Sequence, residues 1–152
     1  EADFSANVDR TTSGPDRGMI VKESEDFSAV IDSLIWCKFL RKAFDDFYEE
    51  SSEIFYRVTG IKMTANELKM SGERINNLRK MFNIREGWTR SDDTLPSRVT
   101  SEVLPTGVSK GVGLSVSELN QMIDSYYYAR GWSKDGNIPS KKIDELGLSD
   151  IM

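Results

Sequence analysis

Apolar side chains recur every three or four residues along most of the sequence, which is the spacing of amphipathic helices. The first such stretch predicts a helix over about 21–34. Its apolar face is formed by Phe27, Val30, Ile31 and Leu34. A second helix is predicted over 45–58 and should end at Gly60. Its inward side chains should be Phe47, Ile54 and Phe55.

Two capping boxes mark the starts of the next long helices. The box at 64–67 predicts a helix to about Phe82, and the box at 115–118 predicts one to about Arg130, stopped by Gly131. The stripe predicted to be buried on the former is Leu68, Ser71, Ile75, Leu78 and Phe82. On the latter it is Leu119, Met122, Ile123, Tyr126 and Tyr127, which leaves Tyr128 exposed. Gly72 with Ser71 predicts a close crossing of another helix.

Between these helices, residues 84–114 carry two prolines, four glycines and few periodic apolar positions. This segment predicts a long irregular loop that binds something or wraps a neighbour, anchored by Trp88, Leu95 and Leu104. Its cations should form local surface ion pairs rather than hold an anionic cofactor. A last short helix should run from Pro139 through Leu146 and end at Gly147.

The pattern predicts an all-α fold, because no convincing strand pair is present. Residues 1–18 are polar and rich in turn formers, which indicates a mobile lead-in or a cut linker. Residues 19–152 are predicted to form one α-helical domain.

The chain has 152 residues, a formal charge of −5, no histidine and one cysteine. The missing histidine excludes histidine general acid–base chemistry, histidine-ligated metals and the usual catalytic triads. The acidic balance argues against nonspecific binding to nucleic acid or anionic membranes. No apolar run is long enough to span a membrane, and a single cysteine fits a reducing cytoplasm. The composition is typical of part of an enzyme rather than a whole one.

The segment from Asp32 to Cys37 carries the strongest candidate chemistry. Asp32 lies in the last turn of the first predicted helix, where the negative end of the helix dipole disfavours a carboxylate. In a continuous helix, Asp32 and Cys37 would point about 140° apart, so the helix must end between them if both face one ligand. The alternative is structural: Cys37 is a small buried hydrophobe, and Asp32 is bonded to a nearby backbone N–H.

The sequence of this segment, DSLIWC at 32–37, resembles the Asp-x-x-Gly-Leu-Cys motif near the C-terminus of tungsten-containing aldehyde:ferredoxin oxidoreductases. The resemblance extends over about 26–148. It is carried in the same order by ERINNL at 73–78, MFNIREGW at 81–88, DDTLP at 92–96, YYARGW at 127–132, GNIP at 136–139 and ELGL at 145–148.

The resemblance implies a multihelical C-terminal part of an enzyme that oxidises aldehydes to carboxylic acids. Its cofactors would be a tungsten bis-pterin (tungstopterin) and a [4Fe–4S] cluster, with ferredoxin as the electron acceptor. Cys37 would be the fourth cluster ligand, Asp32 a pterin hydrogen-bond acceptor and Trp36 a backbone or packing contact to that pterin. The other ligands would come from upstream domains, so no catalytic residue and no bound cofactor are expected in the isolated chain, which should be inactive.

The chain departs from the motif at Ile35, where the family has glycine, and at Trp36, where it has leucine. A β-branched residue at positive φ would cost about 1–2 kcal/mol, so the turn either accepts strain or has another geometry. The competing functional interpretation is a free-standing helical interaction module or subunit in which Cys37 is merely buried.

Overall fold

The computed structural model describes residue 14 and residues 16–151. The predicted lead-in at 1–18 therefore lies outside the described residues, apart from its last few positions. Six α-helices and three short 3-10 helices form the described part, and no strand occurs in it, so the predicted all-α fold is confirmed. The α-helices are α1 Arg17–Ser33, α2 Phe47–Thr59, α3 Ala65–Arg85, α4 Ser97–Ser101, α5 Val116–Arg130 and α6 Ser140–Glu145. The 3-10 helices are Lys38–Lys42, Arg90–Asp92 and Ser149–Ile151.

The starts and ends of the long helices follow local signals. Both predicted capping boxes are present. The Thr64 and Ser115 hydroxyls accept the backbone N–H groups of Glu67 and Glu118, and the carboxylates of these glutamates accept the N–H groups of Thr64 and Ser115. Gly60 and Gly131 end α2 and α5 at φ values of 74° and 71°. The helix predicted over 21–34 begins earlier, at Arg17. The segment after α3 is irregular as predicted, with one 3-10 turn and the short α4 in it.

α1 is the centre of the fold and packs against both α3 and α5, while α2 packs on α3. Two glycines make the close crossings possible. A Cβ on Gly72 would collide with the backbone carbonyl of Asp26, and one on Gly18 would collide with the backbone at Ser125 and Tyr126. The predicted crossing at Gly72 is thus confirmed.

Several side chains predicted to be buried are exposed instead. Ile54 of α2, and Leu78 and Phe82 of α3, are all more than a third exposed. Leu68 is buried as predicted, and the other buried residues of α3 are Gly72, Asn77, Lys80 and Met81. The polar ones take inward positions because they find partners across the fold. The three predicted loop anchors, Trp88, Leu95 and Leu104, are also substantially exposed.

Other predictions about exposure and charge are confirmed. Tyr127 is buried while Tyr128 is exposed. Two cations of the irregular segment form the predicted local ion pairs, Arg85 with Glu86 and Arg98 with Glu102. Arg90 pairs instead with Asp124 on α5. Across residues 16–151, no helix is both long and apolar enough to cross a membrane.

Candidate functional site

The end of α1 is a Schellman motif with an unusual residue in it. The Trp36 N–H donates to the Ile31 carbonyl at 3.0 Å, and the Ile35 N–H donates to the Asp32 carbonyl at 3.2 Å. Ile35 occupies the left-handed position of the motif at φ 56° and is the one non-glycine residue with positive φ among those described. Glycine normally occupies this position because a Cβ is strained there. The chain therefore has a turn geometry that favours glycine while carrying isoleucine.

This turn ends the helix between Asp32 and Cys37, as predicted for two residues that face one ligand. Both side chains are exposed at the same end of α1. Cys37 has an extended backbone, and its carbonyl accepts the Leu40 N–H that opens the following 3-10 helix. Within residues 16–151, the Asp32 carboxylate accepts no hydrogen bond. The structural alternative, a buried Cys37 and a backbone-bonded Asp32, is therefore wrong on both counts.

Trp36 differs from these two residues because its ring packs against other aromatic side chains of the fold. The ring is partly buried and packs on Phe44 with centroids 4.7 Å apart, and its edge faces Phe47. Phe27 and Tyr48 complete an aromatic cluster around Phe47. Because the ring packs in this cluster, a ligand bound to the corner would contact Trp36 mainly through its backbone.

The surface around Cys37 is apolar. Ile35 is 91% exposed and Phe39 is 89% exposed, and Leu40 is exposed beside them. Adjacent exposed apolar side chains mark an interaction surface in a folded protein. The corner formed by residues 32–40 is thus a largely apolar surface that carries one carboxylate, one thiol and the ammonium group of Lys38.

The corner does not hold a metal by itself. In the described ranges, no group of three or more histidine, cysteine, aspartate or glutamate side chains could hold a metal ion. An iron–sulfur cluster takes four ligands, of which this chain has one cysteine to offer. Cys37 and Asp32 fit such a cofactor only as one wall of a composite site.

A buried ionic network on α1 and α5 was missed by sequence reasoning. The Arg130 side chain is fully buried, and its guanidinium contacts the Asp26 carboxylate at 2.5 Å and that of Glu25 at 2.7 Å. Lys22 and Asn76 also donate to Asp26, at 2.9 and 2.8 Å. Burial would raise the pKa of Asp26, but these donors outweigh burial and hold its pKa below the usual range.

Asp93 is the centre of a second network, which fixes the irregular segment. Its carboxylate accepts hydrogen bonds from Lys80 at 2.9 Å, from the Trp88 indole at 2.8 Å and from the Tyr127 hydroxyl. Burial opposes ionisation of Asp93, yet these donors lower its pKa. Burial and the Asp93 charge both raise the pKa of Tyr127. Asp93 therefore ties the segment after α3 to both α3 and α5, and Arg90 adds a second tie to α5 through Asp124.

These contacts frame a cleft of about 510 Å³ between α3, α5 and residues 88–95, here named the Trp88–Trp132 cleft. Trp132, Tyr126 and Tyr127 form its aromatic wall, with Trp88 and Leu95 at its rim. The only sequence signal for the cleft was the irregular segment itself, which was expected to bind something or wrap a neighbour.

Comparison with known proteins places the chain in a family. Residues 2–148 match the protein-family model described as aldehyde ferredoxin oxidoreductase, domains 2 and 3. The chain therefore belongs to the aldehyde ferredoxin oxidoreductase family, a family of oxidoreductases, as the resemblance predicted.

Curated relatives named tungsten-containing aldehyde ferredoxin oxidoreductase support this assignment. The protein of Pyrococcus furiosus is 35% identical over 128 residues, and that of Thermococcus kodakarensis is 33% identical over 129 residues. Each match covers 84% of this chain but 20% of the relative. The chain thus corresponds to about a fifth of the length of these relatives, in their C-terminal part.

A solved structure has the same fold. The active-site complex BamBC of benzoyl coenzyme A reductase, bound to 1,5-dienoyl-CoA, matches with a TM-score of 0.67 and 24% identity. The match covers 88% of this chain and 19% of the other chain. At this identity the likeness supports the multihelical fold alone.

Proposed function

We propose that this chain is the C-terminal domain of a tungstopterin oxidoreductase that oxidises aldehydes to carboxylic acids. Its contribution to the enzyme is one wall of the cofactor site, formed by the corner at residues 32–40. The observation that carries the proposal is the Schellman turn at Ile35, because it leaves the Asp32 carboxylate and the Cys37 thiol exposed at one end of α1.

Cys37 provides the thiolate that completes the ligand set of a [4Fe–4S] cluster. Thiolate is the ligand such clusters take, and the exposed Cys37 side chain is open to one. The remaining three ligands belong to upstream domains of the same enzyme. The exposed apolar side chains of Ile35, Phe39 and Leu40 would lie against those domains, which would exclude water from the cluster.

Asp32 binds the pterin. An ionised carboxylate can accept two N–H donors. Within residues 16–151, neither carboxylate oxygen of Asp32 accepts a hydrogen bond. Trp36 holds the turn between these two residues, because its ring is anchored in the aromatic cluster. The corner is thus held in shape by packing before any cofactor arrives.

When bound, the tungstopterin would supply the two-electron oxidation of the aldehyde, and the cluster would pass the electrons to ferredoxin. The residues of this chain bind, orient and shield these groups. They carry no general acid or base for the reaction, and the isolated chain should be inactive.

The experiment that tests this proposal is an immunoblot of source cells with an antibody raised to this chain, followed by metal analysis of the captured protein. The proposal predicts a polypeptide several times larger than 17.2 kDa that carries tungsten and iron. A captured protein of 17.2 kDa that carries neither metal would contradict it and would support the free-standing helical module.

A further inference from the structure

We propose that the Trp88–Trp132 cleft is a binding site for a planar aromatic monocarboxylate, with Arg79 receiving the carboxylate. The volume of about 510 Å³ lies within the range of small-molecule sites, and the lining combines aromatic and aliphatic side chains with charged and polar ones. This site is separate from the corner that holds Cys37. Glu25 lines the cleft, and the helix rises about 12 Å over the eight residue steps from Glu25 to Ser33.

The wall of the cleft suits a flat ring. Trp132 lies 5.5 Å from Tyr126 and 5.6 Å from Tyr127, measured between ring centroids. The Trp132 indole N–H donates to the buried Asn77 at 2.8 Å, which fixes the plane of its ring. Aromatic rings prefer offset or edge-on contact with other rings, so an aryl ligand gains more here than an aliphatic one.

The opposite rim is held in place by Asp93. The Trp88 indole donates to this carboxylate, which Lys80 and Tyr127 also bind from the wall of the cleft. The two sides of the cleft are therefore tied together without a ligand. A site that is formed in advance loses little conformational entropy when it binds.

The charges that line the cleft leave one cation unused. Lys80 is paired with Asp93, Glu25 is paired with Arg130, and Asp92 accepts the N–H and hydroxyl of Thr89. Arg79 lines the cleft and has no ion pair or hydrogen bond among the described residues. A guanidinium with free donors matches a carboxylate in a bidentate manner.

The same charges limit the ligand to a single negative charge. The carboxylates of Asp92 and Asp93 lie on the lining and stay ionised, since hydrogen bonds lower the pKa of both. They repel polyanions such as nucleotides and coenzyme A, whereas one carboxylate can reach Arg79. An aryl ring on the aromatic wall with its carboxylate on Arg79 pairs the one cation of the lining that has no partner among the described residues.

The three tryptophans of the chain give a direct test, with 1-naphthoate as the probe. Trp88 and Trp132 line the cleft, while Trp36 lies in the separate aromatic cluster. In the ¹⁵N-labelled full 152-residue chain, 1-naphthoate should shift the indole N–H signals of Trp88 and Trp132 and leave that of Trp36 in place. Signals that shift at all three tryptophans, or at none up to millimolar probe, would overturn the proposal.

Matched variants test the role of the charge. Arg79→Gln should raise the Kd for 1-naphthoate at least about tenfold, because it removes the bidentate partner. Arg85→Gln is the control, since Arg85 on the same helix pairs with Glu86 and stacks on Phe82 outside the cleft. It should leave the Kd unchanged. 1-Naphthalenemethanol keeps the rings but lacks the charge. Its Kd for the unmodified chain should therefore match the Kd of 1-naphthoate for the Arg79→Gln variant.

Two results would count against this site. Equal affinity for 1-naphthalenemethanol and 1-naphthoate would mean a merely apolar surface. An unchanged Kd in Arg79→Gln would mean that Arg79 does not receive the carboxylate. Because the test uses no metal or cofactor, its failure would leave the proposed function of the corner untouched.

Discussion

The Arg130 guanidinium and the Asp26 carboxylate form a buried ion pair across 104 residues of sequence, with Nη1 2.5 Å from Oδ1. The Arg130 side chain is 0% exposed and that of Asp26 is 5% exposed. This pair joins α5 to α1, the helix that ends in the candidate cofactor corner. Its removal should therefore affect the stability of the whole fold.

Asp26→Asn should lower the free energy of unfolding by about 3–5 kcal/mol, because it leaves Arg130 buried without its main counter-charge. Urea unfolding followed by circular dichroism measures this loss. Asp32→Asn on the same helix is the matched control. It should change stability by less than about 0.5 kcal/mol, since Asp32 is exposed and unpaired among the described residues. Equal effects of the two substitutions would contradict the assignment of Asp26 as structural and Asp32 as free for a ligand.

The buried pair also predicts the response to acid. Because the folded-state pKa of Asp26 lies below its usual value of 3.8, its contribution to stability is complete above that value and is lost as the pH falls through the lower folded pKa. The folded-state pKa of Asp93 is also lowered, so its contribution to stability is lost in acid in the same way. As the pH falls below 3.8, the unmodified chain should lose more stability than Asp26→Asn does, as urea midpoints at each pH would measure. Parallel pH curves for the two proteins would rule this out.

Gly72→Ala tests the crossing of α1 and α3. Helix propensity alone would make alanine about 1 kcal/mol more stable at this position. The added Cβ instead meets the backbone carbonyl of Asp26, so we expect a net loss of about 1–3 kcal/mol. Thermal and urea unfolding measure it. Ser71→Ala, next to it in α3 and only partly buried, should stay within about 0.5 kcal/mol of the unmodified chain. A stabilised Gly72→Ala protein would show that the helices are not in close contact there.

Ile35→Gly should stabilise the chain by about 1 kcal/mol. Ile35 has φ 56° and is 91% exposed, so glycine relieves strain and gives up little buried surface. Ile35→Ala is the control, because it removes the same exposed side chain but keeps a Cβ at positive φ. Urea unfolding should rank glycine clearly above alanine. Equal stability of the two variants would mean that the backbone strain is absent.

Local sequence signals predicted the helices well because they act over a few residues. The capping boxes at Thr64 and Ser115 and the glycine stops at Gly60 and Gly131 are complete within a single turn. The predicted end of the first helix near residue 34 likewise agrees with the end of α1 at Ser33. These features depend on the neighbouring sequence and not on the tertiary fold.

The buried polar groups could not be predicted in the same way. Arg130, Lys80 and Asn77 are polar in sequence, yet each is buried because a partner from a distant part of the chain satisfies it. Leu78 and Phe82, which the apolar periodicity predicted on the buried face of α3, are exposed instead because polar residues occupy that face. The Trp88–Trp132 cleft is a product of the same long-range contacts.

The measurement that tests the central claim most directly is the iron and tungsten content of the native enzyme that contains this chain, compared with its Cys37→Ser and Asp32→Asn variants. If Cys37 is a cluster ligand, Cys37→Ser should lower the iron content per polypeptide below that of a complete [4Fe–4S] cluster. It should also abolish the electron paramagnetic resonance signal of the reduced cluster. Asp32→Asn should instead lower tungsten and keep the iron. A Cys37→Ser enzyme with full iron content and an unchanged spectrum would contradict the claim that this corner completes the cofactor site.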